Sequence, residues 1–480
     1  MTLIQILILV GVSLLAGWLL PTRWRNWFIL SASIIGVYWL QPASPIRNLS
    51  FWLPTISVGL TIMVWTTIQF GQKVDRGNTL VVGLIIFGII LLLSANRYFG
   101  SLCCLTSVRP PQLSLVVLVI IFCVLFIIFC YRIKYKRLIA GGCLTFLIIL
   151  FIFLKQEKIS EQISAIVRLL NHQDPSMASS IDLQWIGFSY LAFRLLHVLR
   201  DFQSGKFLDY SLGEFLTYAL FYPALPAGPI DRSQRFVEDL RKTDSLPKPV
   251  LIMLPDNLVS GLQRILWGVL KKFVFADSLA LIALNPQNAL QIKTPFWMWV
   301  ALYAYSLRIF FDFSGYTDIA IGLGKLLGIN LPENFLSPYF KSNLISFWNS
   351  WHITLAQWFR AYFFNPLTRM IRIKLKNTPT WLVILIGQFS MMILIGLWHG
   401  IKWNFVGWGL WHGAGLFINN RWSDWYRRHG FGFENSSFGY NALQISGCLV
   451  TFNFVTLGWV WFALPNLVII QHVFFKLFGL

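Results

Sequence analysis

The sequence predicts an all-α fold, a polytopic membrane bundle of about 11–14 segments of roughly 20 apolar residues each. Three observations predict it. Hydrophobic residues make up 56% of the 480 and charged residues only 12%, where a soluble domain carries about 25% charged residues. Apolar runs of spanning length recur from end to end, with Arg and Lys gathered in the short loops between them. Mean hydropathy is +0.64, and the 22 Trp and 15 Tyr are of the types that favour membrane interfaces. Length alone suggests roughly three soluble domains; a bundle of this kind counts as one membrane domain.

The balance of 39 Lys and Arg against 19 Asp and Glu leaves a formal charge of +20. Nucleic acid is not the expected partner, because the positive-inside rule by itself places basic residues in such loops. These loops meet the lipid bilayer, anionic headgroups or a phosphate-bearing substrate. The six cysteines (Cys103, Cys104, Cys123, Cys130, Cys143, Cys448) form no Cys-x-x-Cys pair and no metal-ligand spacing. They are expected as small core residues, with no disulfide framework and no metal. The first apolar run follows Met1-Thr2 directly and ends at Pro21-Thr22-Arg23, as in a retained first helix rather than a cleaved signal.

In order, the first half offers apolar segments at 3–20, 27–40, 51–70, 79–95, 113–131 and 138–154. Lys73, Arg76, Arg97 and the cluster Arg132-Ile133-Lys134-Tyr135-Lys136-Arg137 mark loops, the cluster being a cytoplasmic candidate. Residues 1–155 thus read as scaffold. The chain turns polar from Lys155 to Asp182, where Ile163–Leu170 suits an interfacial helix, and residues 156–480 carry the motifs. Arg194, His197 and Arg200, with Asp201 beside them, end the next apolar segment; the first three share one helical side and read as an interfacial basic face. The stretch 222–232 holds Pro223, Pro226 and Pro229, so no regular helix persists there. It reads equally as a surface loop or as broken backbone buried in protein.

Residues 257–282 are amphipathic. Segment 294–328 places Arg308, Asp312 and Asp318 in an apolar run, with Arg308 and Asp312 one turn apart and able to pair. After an irregular link at 332–339, an aromatic helix over 345–364 carries Asn349, His352 and Arg360, the first two at a spacing that faces one cavity. The basic run 369–376 suits headgroup level, and segments 380–399, 403–420, 441–463 and 466–478 complete the bundle.

Chemistry concentrates between Phe311 and His412, which holds three of the seven histidines (His352, His399, His412), each directly after a tryptophan. A neutral imidazole is suited to general base work near pH 7. Asn349, Arg360, Asn404 and the indoles of Trp398 and Trp403 are candidate donors to an oxyanion. On one straight helix His399 and His412 would stand about 20 Å apart, but Gly400-Ile401-Lys402-Trp403 reads as a turn. A proton-coupled transporter or flippase using the same carboxylates and histidines is the rival from another class.

The motifs Pro-Ala-Gly-Pro-Ile (226–230), Asp-Phe-Ser-Gly-Tyr-Thr-Asp-Ile-Ala-Ile-Gly (312–322), Pro-Glu-Asn-Phe (332–335), Phe-Trp-x-x-Trp-His-Ile-Thr-Leu (347–355), Trp-Phe-Arg-x-Tyr (358–362) and Gly-Leu-Trp-His-Gly (396–400) resemble the membrane-bound O-acyltransferase superfamily. Within it they resemble the bacterial branch of alginate O-acetylases and teichoic acid D-alanyl transferases, over roughly residues 186–420. Ala361 stands where an acidic residue is common, and Asn349-Ser350 where two arginines are.

The resemblance implies a helical bundle around a central funnel or tunnel in a bacterial plasma (inner) membrane. It implies His399 as catalytic histidine and His352 as the second functional one. Asp312, Asp318, Trp348, Trp351, Asn349, Arg360, Trp398, Asn404, His412 and Pro229 are the expected tunnel and supporting residues. The implied co-substrate is an acyl thioester, either acetyl-CoA or an acyl carrier protein, with no bound cofactor. Alginate-type members imply a periplasmic acetyl-transfer helper protein.

Overall fold

The structure, a computed structural model, describes residues 1–69, 75–99, 106–133, 135–206, 209–429 and 437–480. Cys103, Cys104, Lys73 and Lys134 lie outside the described residues. The chain divides into two compact units, Met1–Leu266 with Thr317–Pro332, and Trp267–Tyr316 with Glu333–Leu480.

The first unit opens with α1 (Leu3–Leu14), whose final turns widen over Leu15–Leu19, then α2 (Thr22–Trp39), α3 (Leu49–Ile68), α4 (Arg76–Ala95), α5 (Leu113–Arg132) and α6 (Lys136–Lys155). The last four are each long and apolar enough to cross a membrane. On α5 the side chains of Leu118, Ile121, Phe122, Leu125 and Phe129 all face outward, an arrangement suited to contact with lipid. The short segment expected at 27–40 begins earlier, at Thr22, and so takes in Arg25. Its guanidinium is fully buried and donates to the Leu327 carbonyl at 2.7 Å.

Then α7 (Glu157–Leu170) turns a polar side inward. Ser164 and Arg168 are buried on Asp182, the ion pair closing at 2.8 Å, while Ile166, Leu169 and Leu170 are exposed. That is the pattern of a helix lying at a membrane interface.

The basic face expected on α8 (Phe188–Gln203) is instead buried: Arg194, His197 and Asp201 are internal and only Arg200 is exposed. The reason lies in α9 (Leu212–Leu220), which runs into the prolines. Those residues supply no further donors to its last carbonyls. Arg194 supplies them from the neighbouring helix, reaching the carbonyls of Tyr218 at 3.3 Å and Ala219 at 2.9 Å, and it also bonds the Ala224 carbonyl beyond the helix at 3.0 Å. Residues 228–231, Pro229 among them, are buried, so the broken stretch is the internal alternative rather than a surface loop. The unit continues through α10 (Ser233–Asp244), α11 (Val250–Met253) and the start of α12 (Pro255–Val269).

In the second unit a widened stretch, Leu270–Ala276, leads to α13 (Asp277–Ala280) and α14 (Pro295–Leu326), whose end from Thr317 belongs to the first unit. Next come α15 (Leu344–Trp348), α16 (Ile353–Phe359), α17 (Asn365–Lys374), α18 (Thr380–His399), α19 (Trp403–His429), α20 (Ser437–Ala463) and α21 (Leu467–Leu477). The expected continuous helix over 345–364 is broken between Trp348 and Ile353, and its last turn widens over Arg360–Phe364.

Helices α18 and α20 complete a set of six that meet the length and hydropathy needed to span, among the described residues. The larger expected count includes segments such as α14 and α19, whose length is ample but whose charges and polar groups lower their hydropathy. The α18–α19 hairpin is tightly packed. A Cβ on Gly396 would sit 2.2 Å from the Phe405 carbonyl oxygen, so only glycine permits this backbone approach.

Arg194→Leu removes the donor that Arg194 supplies to the Tyr218 and Ala219 carbonyls and one of the two donors at the Ala224 carbonyl, which keeps Gly228 N–H; each carbonyl left bare costs about 1–3 kcal/mol. The purified protein is expected to unfold well below the wild type in a thermal scan, whereas Arg200→Leu leaves the midpoint nearly unchanged. Equal midpoints for the two would refute the capping role.

Candidate active site

The site is built from Asn334, in the link after α14. Its side-chain oxygen accepts the backbone N–H of Thr354 at 3.1 Å and the Thr354 hydroxyl at 2.9 Å. A backbone N–H can only donate, so the amide oxygen is fixed on this side. His352 Nδ1 lies 3.1 Å from the same oxygen, and must carry the proton to bond there. Nε2 is then left with the lone pair. It is buried, and among the described residues it has no hydrogen-bond partner.

The backbone at His352 is left-handed, with φ 42° and ψ 52°, a conformation costing about 1–3 kcal/mol in a residue with a side chain. The Asn334 carbonyl helps hold it by accepting from Ile353 N–H at 3.0 Å, and the isolated β-bridge from Phe335 to Trp351 pins the other side. His352 lies outside the six spans, and burial pushes its imidazole down to about 3. The ring is neutral at pH 7.

Trp398 joins the two histidines that the sequence singles out. Its ring centroid is 5.9 Å from His352 and 4.3 Å from His399. Phe313 closes on the other side of His352 at 4.7 Å. His399 ends α18, partly exposed, with Phe462 at 4.7 Å, Phe405 at 6.0 Å and Trp408 at 6.1 Å. The turn at 400–402 then reverses the chain, and α19 brings Trp408 within 4.8 Å of His412. All three histidines therefore belong to one run of aromatic contacts, not to points spread along a straight helix.

The remaining expected residues fall into distinct places. Trp348 packs on His412 at 5.2 Å. Trp351 is aromatic core, with Phe335 and Trp459 each at 5.1 Å. Asn404 is buried and donates to the Trp461 carbonyl at 3.1 Å. Asn349 and Arg360 are exposed and bond each other at 2.7 Å. Asn349 was expected to share a cavity with buried His352, but the break after α15 separates their faces. Trp403 is 76% exposed, which removes its indole from the enclosed site. Asp312 pairs with Lys272 rather than Arg308.

Asp318 and Pro229 belong to the first unit, where Asp318 pairs with Arg264 at 2.5 Å. Among the described residues no three His, Cys, Asp or Glu gather to hold a metal ion.

Sequence reasoning missed Asn334, Phe313, Trp408 and Phe462. An asparagine in the irregular link between two proline positions, Pro332 and Pro338, was a signal for the first. Nothing local marks Phe462, which reaches the site from α20.

Comparison with known proteins places these residues in a family. The sequence profile of the membrane-bound O-acyltransferase family matches residues 125–443. The chain is 32% identical over 295 residues to a teichoic acid D-alanyltransferase of Streptococcus thermophilus, covering 58% of this chain and 68% of that one. It is 32% identical over 296 residues to the probable alginate O-acetylase of Pseudomonas fluorescens, covering 61% and 53%. It is 33% identical over 261 residues to a peptidoglycan O-acetyltransferase of Helicobacter pylori, covering 54% and 46%. The match thus spans about half the length of the two O-acetylating relatives. With helices that span a bilayer and histidines enclosed among aromatic rings, the chain belongs to the membrane-bound O-acyltransferase family and is an integral, multi-pass membrane acyltransferase.

Proposed function

We propose that the chain transfers a short acyl group, acetyl in the expected case, from a thioester to a hydroxyl of a cell-envelope polysaccharide or similar acceptor. The setting is the bacterial plasma (inner) membrane. The observation that carries this reading is the pair of imidazoles on either side of Trp398, one neutral by burial and with its tautomer set by Asn334.

His399 is the base. It takes the acceptor's hydroxyl proton as that oxygen attacks the thioester carbonyl; the new C–O bond forms, the C–S bond breaks, and the proton passes to the departing thiolate. A positioned base of this kind gains about 10²–10⁴-fold in rate. His352 Nε2, lacking a proton, accepts a hydrogen bond from an N–H or O–H of the bound donor. Asn334 keeps it in that form.

The donor is acetyl-CoA or an acyl carrier protein, and the chemistry needs no resident cofactor. Exposed Arg369, Arg372, Lys374 and Lys376 suit a donor carrying phosphate or acidic groups. A periplasmic helper protein fits an acceptor outside the membrane.

A second reading within the same chemistry is D-alanyl transfer from a carrier-protein thioester, favoured by the relative of which this chain covers 68%. The proton-coupled transporter loses its support in the carboxylates, since Asp312 and Asp318 are each engaged by a cation.

Labelled acetyl-CoA and D-alanyl-charged carrier protein, offered separately to membranes containing the chain, distinguish the two donors by which label reaches the envelope polymer. His399→Ala is expected to abolish transfer while the protein remains folded and inserted; turnover at the wild-type rate would sink the assignment. Asn334→Leu releases the His352 tautomer and is expected to lower kcat about tenfold or more, since misplacing a catalytic group by 1 Å costs on the order of 10²-fold. An unchanged rate in that variant would remove Asn334 from the site.

A further inference from the structure

We propose that His412 is a positioning residue for His399, acting through the indole of Trp408. The inference rests on the reading of His399 as the base. His412 is fully buried, and among the described residues neither of its ring nitrogens has a hydrogen-bond partner. Buried polar groups are bonded with few exceptions, and an unpaired one carries a desolvation penalty that an apolar ring avoids. Folding alone would favour phenylalanine at this position.

What His412 does meet is aromatic. Trp348 lies 5.2 Å away at 88° and Phe454 6.0 Å away at 82°. Near-perpendicular contacts set a ring edge against a π face, the geometry of weak N–H···π bonds. Trp408, tilted 56° at 4.8 Å, is the ring closest to His412 in these contacts. Its own Nε1 is buried and, among the described residues, unpartnered.

Trp348 and Trp408 also meet each other, at 5.7 Å and 81°, so the three rings form a closed triangle. Of its members Trp408 carries the contact to His399, at 6.1 Å and 76°. Gly458 also lies against the ring: a Cβ there would sit 2.8 Å from His412 Nε2, so only a residue without a side chain leaves the imidazole its place. In the proposal the orientation of His412 sets the tilt of Trp408, and Trp408 is one of the rings packed on His399.

The test uses the full chain in detergent and three readouts: thermal midpoint, kcat and KM with acetyl-CoA, and the rate at which diethyl pyrocarbonate carbethoxylates His399, read by peptide mass. His412→Phe is expected to unfold no earlier than wild type. Its His399 labelling rate should change by about threefold or more and its kcat should fall about tenfold, with KM nearly unchanged, as for a displaced catalytic group. Trp408→Phe should reproduce both effects, and the double variant should add little to either single one.

Wild-type labelling and kcat in His412→Phe, or effects that multiply in the double variant, would overturn the proposal. Should His412→Phe unfold early, His412→Gln with Trp408→Phe gives the same comparison. Inactive His399→Ala beside a fully active His412→Phe sinks this inference alone; active His399→Ala sinks the reading beneath it.

Discussion

The side-chain oxygen of Asn334 is the interaction on which the second unit's site depends. One atom accepts a backbone N–H, a hydroxyl and a ring N–H, and these ties join the link after α14 to the first turn of α16. They hold His352 in a left-handed conformation it would not adopt unaided, and they decide which ring nitrogen keeps its lone pair. In an apolar setting such a bond is strong because water does not compete for its partners. Leaving one of them unpaired is costly for the same reason.

Around that point the protein uses aromatic rings rather than polar groups as walls. Phe313, Trp398, Phe462 and Trp408 pack on His352 and His399 with ring centroids between 4.3 and 6.1 Å. Around His352 such rings exclude water without adding charge, which favours the neutral imidazole there, and their fixed shapes position both imidazoles. The tight α18–α19 hairpin, closed through Gly396, makes this possible by bringing Trp408 back against the end of α18.

The first unit solves a different problem, that of interrupting helices inside protein. Prolines after α9 end it within buried backbone, and a guanidinium from α8 takes over the carbonyls left without donors. Arg25 does the same for the carbonyl of Leu327. The few charges placed inside are thus spent on backbone, while Asp182 and Asp318 are held by arginines. Apolar side chains on α5 and α7 face outward, the reverse of a soluble protein.

The sequence by itself determined the helical membrane class, the approximate position of nearly every long helix and the three histidines of interest, because hydropathy and residue order are local properties. It also marked the turn at 400–402 through Gly400. It did not show that Arg194 and His197 are internal, that the helix over 345–364 breaks, or that Asp312 pairs with Lys272. Only the tertiary structure decided those, since each depends on what a distant segment offers. A buried arginine needs carbonyls from another helix, a left-handed histidine needs Asn334 to hold it, and an aspartate takes whichever cation packing brings nearest. His399 and His412 read as distant along the chain and become neighbours of one indole because a glycine lets two backbones touch.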